Sequence, residues 1–260
     1  MEPISSMLDV GSVTHIGQVR SRNEDSCLVR SDVGLWAVAD GMGGHEAGDL
    51  ASQIVVRALD AIGAPASAAD LLAQCEERLF SANQEILSLS KARHGATIGS
   101  TVAVLLVRDG YYACLWAGDS RVYLIKGGAI RQVSRDHTEA EELVAGGTLS
   151  REEAKNWPSN VITRAVGVAA DPEFEVVTGP AEAGDAFVVC SDGLTRHVQD
   201  EDILREVGMR HAQAACDAML AMALDRGGLD NVTVIVVRLQ PQVRRSSEPT
   251  RSPLDGEPQP

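Results

Sequence analysis

Four aspartates stand where an apolar run meets a small or turn-forming residue: Asp40-Gly41, Asp119-Ser120, Asp192-Gly193 and Asp230-Asn231. Leu35 to Ala39 lead into the first, Ala113 to Trp116 approach the second, Phe187 to Cys190 precede the third, and the fourth opens the run from Val232 to Val237. Carboxylates at strand edges can converge on one rim of a sheet, where they repel one another unless a cation lies between them. Oxygen donors without a histidine cluster suit a hard ion such as Mg2+ or Mn2+, whereas zinc would recruit His or Cys. Gly41 extends the donor set, because a residue without a side chain lets its carbonyl approach an ion. A single Asp at a strand end is more often a turn or cap. Four of them in one chain shift the balance toward a metal centre.

A second constellation runs from Gly17 to Asp25 and contains Arg20, Arg22, Glu24 and Asp25. Arginine offers a planar fork for phosphate oxygens, and the neighbouring acids can hold water on a metal. Read alone, the segment is a solvated charged turn. The third, Asp40 to Gly48, is glycine-rich without being a nucleotide fingerprint. Glu46 stands where the last glycine of G-x-G-x-x-G belongs, no Lys-Ser/Thr of a phosphate loop follows, and Asp49 holds the place of the second zincin histidine. His45 is suited to donate a proton at a helix entrance, or to cap a surface turn. Cys190 beside Ser191 and Asp192 lacks the basic cradle of a cysteine phosphatase, and Asp200-Glu201-Asp202 reads as the acidic first turn of a helix.

The chain has 260 residues, 44% hydrophobic and 23% charged, the profile of a globular protein with a substantial core. Its net charge, 23 − 37 = −14, repels nucleic acid, and 3% aromatics are too few for a base-stacking platform. Acids occupy the start of the chain where a signal peptide needs basic residues, and the longest apolar runs, such as Thr101 to Val107, are of strand length. These features predict a soluble cytoplasmic protein that does not enter a membrane. The five cysteines are widely spaced without a C-x-x-C pair, which suggests neither a disulfide framework nor a thiolate zinc site.

The elements that must position the carboxylates are mostly short strands. They are expected at residues 10–17, 25–30, 34–39, 98–107, 111–117, 120–126, 129–133, 174–178, 186–191 and 232–239. The connections at Arg108-Asp109-Gly110, Gly118-Asp119 and Lys126-Gly127-Gly128 are too short for a parallel crossover, so each is read as an antiparallel hairpin. Helices are expected at about 47–62, from Ser67 onward, and near 139–146, 151–156, 200–207 and 211–226. Ser67 to Asp70 and Ser150 to Glu153 have the spacing of capping boxes. Leu72, Cys75, Leu79, Ala82, Ile86 and Leu89 form a stripe that packs on a sheet. Strands, then helices, then strands again give an α+β fold with mainly antiparallel sheets. Because the aspartates span positions 40 to 230, a shared site needs one domain, expected at residues 8–239. Residues 240–260, with five of the ten prolines, read as a disordered tail.

In chain order, Arg20 to Asp25, Val38 to His45, Gly99-Ser100-Thr101, Ala117 to Arg121, Arg135 to Thr138, Thr163 to Gly167, Cys190 to Leu194 and Asp230 to Thr233 resemble the metal-dependent protein phosphatases, the type 2C or PPM family, in their compact bacterial form. The resemblance implies two packed antiparallel sheets with helices outside, an αββα sandwich, and a binuclear Mn2+ or Mg2+ centre at one edge. It implies that Asp40 bridges both ions, that Gly41 offers its carbonyl, and that Asp192 and Asp230 complete one ion. Glu24 and Asp25 would hold waters of the other, and Asp119 with Asp192 would form a weaker third site. Arg20 matches the phosphate-binding arginine, and residues 146–160 fall in the flap beside the site. Many eukaryotic members have the catalytic histidine directly after Asp-Gly, where this chain has Met42. His45 follows the bacterial pattern and would be the general acid.

The implied reaction is hydrolysis of phosphoserine and phosphothreonine in proteins by one direct displacement, opposing a serine/threonine kinase, by an enzyme expected to be a monomer. A phosphatase of small phosphate esters and a non-catalytic phosphoprotein-binding module are the alternatives on the same fold.

Overall fold

Runs such as Leu35 to Ala39, Val102 to Val107 and Val232 to Val237 are buried along their whole length, although strands of antiparallel sheets usually alternate between core and solvent. The reason is layering, with each sheet covered on one side by the other sheet and on the opposite side by helices. The computed structural model describes residues 8–43, 47–154, 157 and 161–240. Its strands are β1 (Leu8–His15), β2 (Asp25–Arg30), β3 (Leu35–Gly43), β4 (Ile98–Ser100), β5 (Val102–Arg108), β6 (Tyr111–Ala117), β7 (Arg121–Lys126), β8 (Ala129–Gln132), β9 (Glu175–Pro180), β10 (Ala186–Cys190) and β11 (Val232–Leu239). The helices are α1 (Ala47–Asp60), α2 (Ala68–Ala92), α3 (Glu139–Ala145), α4 (Arg151–Ala154), α5 (Asp192–Thr195), α6 (Asp200–Met209) and α7 (Ala212–Asp225).

One sheet has five strands in the order β1-β11-β10-β7-β8; the other has six, β2-β3-β5-β6-β9 with β4 added to the end of β3. All the strand pairings are antiparallel. Trp36, Val38, Leu105, Trp116, Phe187, Val189, Ile235 and Val237 meet between the sheets. The alternate residues Leu35 and Ala37 face α1 and α2, where they join Leu59, Leu71, Leu79 and Ile86. Val188 and Val234 meet Ile203 and Met219 of α6 and α7 on the other side. This is the expected αββα sandwich. Burying each such Leu, Ile or Val contributes about 1.5–3 kcal/mol.

Local signals explain much of this layout. Asp109 and Gly110 at φ 53° and 79°, and Gly127 and Gly128 at 60° and 80°, build the tight turns of the β5-β6 and β7-β8 hairpins. Ser67 accepts the Asp70 amide at 3.1 Å and starts α2. Ser150 and Glu153 complete a reciprocal box at 2.8 and 3.2 Å before α4. Leu71 takes the buried place expected of Leu72, which is only partly buried one position further round α2.

Three expectations need correction. The Gly118-Asp119 connection is not a hairpin: β6 belongs to the six-stranded sheet and β7 to the five-stranded one, so the chain changes sheets there. The strand expected at 98–107 is broken at Thr101, between β4 and β5. Asp192 does not merely end a strand; it opens the short helix α5 after Ser191. The tail from 241 onward lies outside the described residues, as do 155, 156 and 158–160 of the expected flap. No helix among the described residues is long and apolar enough to cross a membrane.

Gly118 makes the change of sheet feasible, with φ at 110° and a site where a Cβ would lie 2.7 Å from the Thr101 Cβ. Gly118→Ala is expected to lower the unfolding free energy by about 2 kcal/mol. Chemical denaturation checks this, and an unchanged midpoint would mean that the corner carries no such constraint.

Candidate metal centre

The site lies along the seam between the two sheets. In the six-stranded sheet β2 pairs with β3 so that Asp25 stands directly opposite Asp40. The Gly41 amide then donates to the Glu24 carbonyl at 3.0 Å. A Cβ at Gly41 would collide with the Gly48 carbonyl, and one at Gly48 would lie 2.5 Å from Glu24 Oε1. Only glycines let the start of α1 close over these acids. The five-stranded sheet supplies Asp192 after β10 and Asp230 before β11. A side chain at Gly193 would strike the Asn231 carbonyl. Asp119 sits at the corner where the chain passes from one sheet to the other.

Small polar residues hold these carboxylates in register. Thr101 donates its amide to the Asp40 carbonyl at 2.8 Å, accepts the Asp40 amide at 3.1 Å through its hydroxyl, and shares that hydroxyl with Ser120 at 2.8 Å. The break between β4 and β5 is thus a clamp that links Asp40 to the neighbour of Asp119. Across the seam, Ser191 donates to Asp25 Oδ2 at 2.8 Å and accepts the Thr233 amide at 3.0 Å. Asn231 accepts the Glu24 amide and donates to the carbonyls of Ile16 and Arg22, each at 2.8 Å, tying the Arg20 loop to β11.

The electrostatics are those of a buried acidic cluster whose charge two arginines offset only in part. Asp25 and Asp119 are 7% and 6% exposed, and burial pushes each carboxyl up to about 7. Asp40 is held well above the ordinary carboxylate value, first by burial and then by the charges of Asp25, Asp192, Asp119 and Asp230. Asp192 and Glu24 are raised as well, chiefly by burial. Asp25, Asp119 and Asp192 each keep a buried Oδ1 with no hydrogen-bond partner. A buried polar atom of this kind costs about 1–3 kcal/mol unless something satisfies it. Hard cations fit: the donors are oxygens, the unsatisfied ones belong to this cluster, and Cys190 next to it is a fully buried thiol pushed up to about 12.

Among the described residues, no three His, Cys, Asp or Glu side chains are grouped closely enough to hold one metal ion as they stand. Two arginines reach the carboxylates instead: Arg20 binds Asp230 at 2.8 Å, and Arg196 binds both Asp192 and Asp230. Glu24, Asp25, Asp40, Gly41, Asp119, Asp192, Asp230 and Arg20 are therefore drawn to one rim, while His45 lies outside the described residues. Arg196 was not expected. Its only sequence signal is a spacing of four from Asp192. Thr101, Ser191 and Asn231 stand inside recognised segments, but their clamping roles depend on contacts far away in the chain. The Arg135 to Thr138 segment has a supporting role too. Asp136 receives a fork from Arg121 at 2.7–3.1 Å, and His137 pairs with Gly118 through backbone and ring at 2.9 and 3.2 Å.

A family model described as protein phosphatase 2C matches residues 14–226. The serine/threonine protein phosphatase PstP of Mycobacterium tuberculosis is 33% identical over 237 residues, 91% of this chain; the chain spans about half, 46%, of that protein's length. The serine/threonine phosphatase stp of Listeria monocytogenes is 34% identical over 236 residues, 86% of this chain and 93% of the relative. The structure of the PstP catalytic domain in complex with two manganese ions superimposes with a TM-score of 0.80 at 33% identity, covering 90% of this chain and 99% of that one.

Raised carboxyl values have a definite sign for stability. Asp25 and Asp119 bind protons more tightly in the folded chain, at about 7, than at the unperturbed 3.8. The folded state is therefore favoured at low pH, and that advantage is lost as pH rises through about 7. In the presence of a chelator, the melting temperature should rise by several degrees on going from about pH 8 to about pH 5.5. A melting temperature that stayed flat or fell would show that these carboxylates do not strain the metal-free fold.

Proposed function

The chain belongs to the protein phosphatase 2C family, and from that premise we propose that it is a metal-dependent phosphatase acting on phosphoserine and phosphothreonine in proteins. The observation that carries this reading is the set of buried, unpartnered oxygens of Asp25, Asp119 and Asp192 on the rim that Arg20 borders. In this proposal Asp40, the Gly41 carbonyl, Asp192 and Asp230 would hold two ions, with Glu24 and Asp25 placed to orient water beside them. Asp119 and Asp192 hold a weaker third. Bound there, Mn2+ or Mg2+ supplies a nucleophilic water at neutral pH and neutralises charge on the phosphoryl oxygens.

The chain's own groups do the rest. Arg20, about half exposed at the mouth of the site, presents a planar fork to two phosphate oxygens and sets the ester in line. His45 gives the departing serine or threonine oxygen its proton. No side chain serves as nucleophile: the Cys190 thiol is buried and neutral, and the Ser191 hydroxyl is engaged by Asp25 and Thr233. Five free cysteines fit a reducing, cytoplasmic setting. Phosphoproteins made by a serine/threonine kinase would be the substrates, and a monomer suffices because every residue of the proposed site comes from one chain.

Turnover of a phosphothreonine peptide with Mn2+ tests the activity. It is expected with the metal and lost in chelator; preference for sugar phosphates would instead favour a small-ester phosphatase, and no turnover with Mn2+ or Mg2+ would refute the enzyme. Asp192→Ala should cost more than the roughly 100-fold typical of losing a group that only supports a ligand, with the fold intact by circular dichroism. Full activity in that variant would refute the ligand assignment. His45→Ala should show a smaller defect that grows with the pKa of the leaving alcohol, and equal losses on all esters would count against a proton donor.

A further inference from the structure

Arg196 follows α5 and turns its guanidinium back over that single helical turn. Its Nε and Nη2 both donate to Asp192 Oδ2, the former at 2.9 Å, while Nη1 lies 3.3 Å from Asp230 Oδ2. Arg20 Nη2 donates to the same Asp230 oxygen at 2.8 Å, and Asp230 Oδ1 accepts the Asn231 amide at 2.9 Å. Oδ2 of Asp230 therefore carries two guanidinium contacts, while Oδ1 accepts one amide. Asp192 differs, because its Oδ1 remains buried and unpartnered. A divalent ion can reach Asp192 without disturbing Arg196, but it reaches Asp230 Oδ2 only as a guanidinium withdraws. The longer of the two contacts is that of Arg196, which keeps its double hold on Asp192 when it lets Asp230 go.

We propose that Arg196 is the resident counter-cation of this centre: without metal it bridges Asp192 and Asp230 and offsets their charge, and it yields Asp230 to the incoming ion. This rests on the reading of Asp192 and Asp230 as metal ligands. Two consequences follow from like-charge repulsion. Arg196 keeps the metal-free seam closed, and the same positive charge weakens the hold on the divalent ion. An ordinary i,i+4 surface pair would contribute a few tenths of a kcal/mol to the helix and leave metal affinity unchanged. Asp119 and Arg20 also face the Asp192 carboxylate or the arginine that holds it, so the charge removed must be that of Arg196 alone.

Calorimetric titration of the metal-stripped full chain with Mn2+ tests the proposal in wild type, Arg196→Gln and Arg196→Lys. Arg196→Gln should bind Mn2+ about tenfold more tightly, within the roughly 5–150-fold range typical of coupling between two bound groups, and should melt at a lower temperature in chelator. Arg196→Lys, which keeps the charge, should stay near wild type in both. The rate at which the loaded protein loses Mn2+ to excess chelator gives the same information without requiring the metal-free variant to fold, and it should be slower in Arg196→Gln. Unchanged or weaker binding, a rate of loss equal to or faster than wild type, or Arg196→Lys behaving like Arg196→Gln would overturn the role of the charge. Failure of the wild-type chain itself to bind Mn2+ in a manner sensitive to Asp192→Ala would overturn the underlying ligand reading instead.

Discussion

Mutual repulsion among Asp25, Asp40, Asp119, Asp192 and Asp230 is the constraint around which the rest of the molecule is organised. Burial raises the carboxyls of Asp25, Asp40, Asp119 and Asp192, and the charges of neighbouring aspartates raise them further. A cluster like this persists only if the backbone beneath it cannot relax and if positive charge is at hand. The sandwich supplies rigidity through fully buried strands on both sheets. The glycines at 41, 48 and 193 allow backbone and carboxylates to approach more closely than any side chain would permit.

The proposed centre belongs to neither sheet alone. Asp25 and Asp40 come from a cross-strand pair in one sheet, Asp192 and Asp230 flank neighbouring strands of the other, and Asp119 marks the corner between the sheets. Closing the apolar layer of Trp36, Trp116, Phe187 and Ile235 is therefore the same event as gathering the carboxylates. Hydrogen bonds that cross the seam, from Ser191 to Asp25 and from Glu24 to Asn231, convert that packing into a fixed side-chain geometry. Arg20 and Arg196 then offset the charge on the open side.

Much of this was legible in the sequence because it is local. An apolar run that ends in Asp-Gly marks both a strand and a carboxylate at its edge, and Ser67 and Ser150 announce their helices by the spacing of their caps. What was not legible depends on partners far away in the chain. Gly118-Asp119 has the length of a hairpin, and nothing local distinguishes a hairpin from a corner that leads into a second sheet. Thr101 sits in an unbroken β-branched and aliphatic pattern, yet its contacts with Asp40 and Ser120, 61 and 19 residues distant, break the strand. Arg196 carries no local signal of its role, because its i,i+4 relation to Asp192 acquires meaning only once α5 exists.

Diffraction from crystals of the full chain grown with Mn2+, measured at the manganese absorption edge, tests the metal centre most directly. Two strong anomalous peaks should appear on the seam, both in contact with Asp40, with Asp192 and Asp230 completing one of them and Arg196 withdrawn from Asp230. Peaks elsewhere on the protein, or an empty seam with Arg20 and Arg196 still bound to Asp230 at saturating Mn2+, would contradict it.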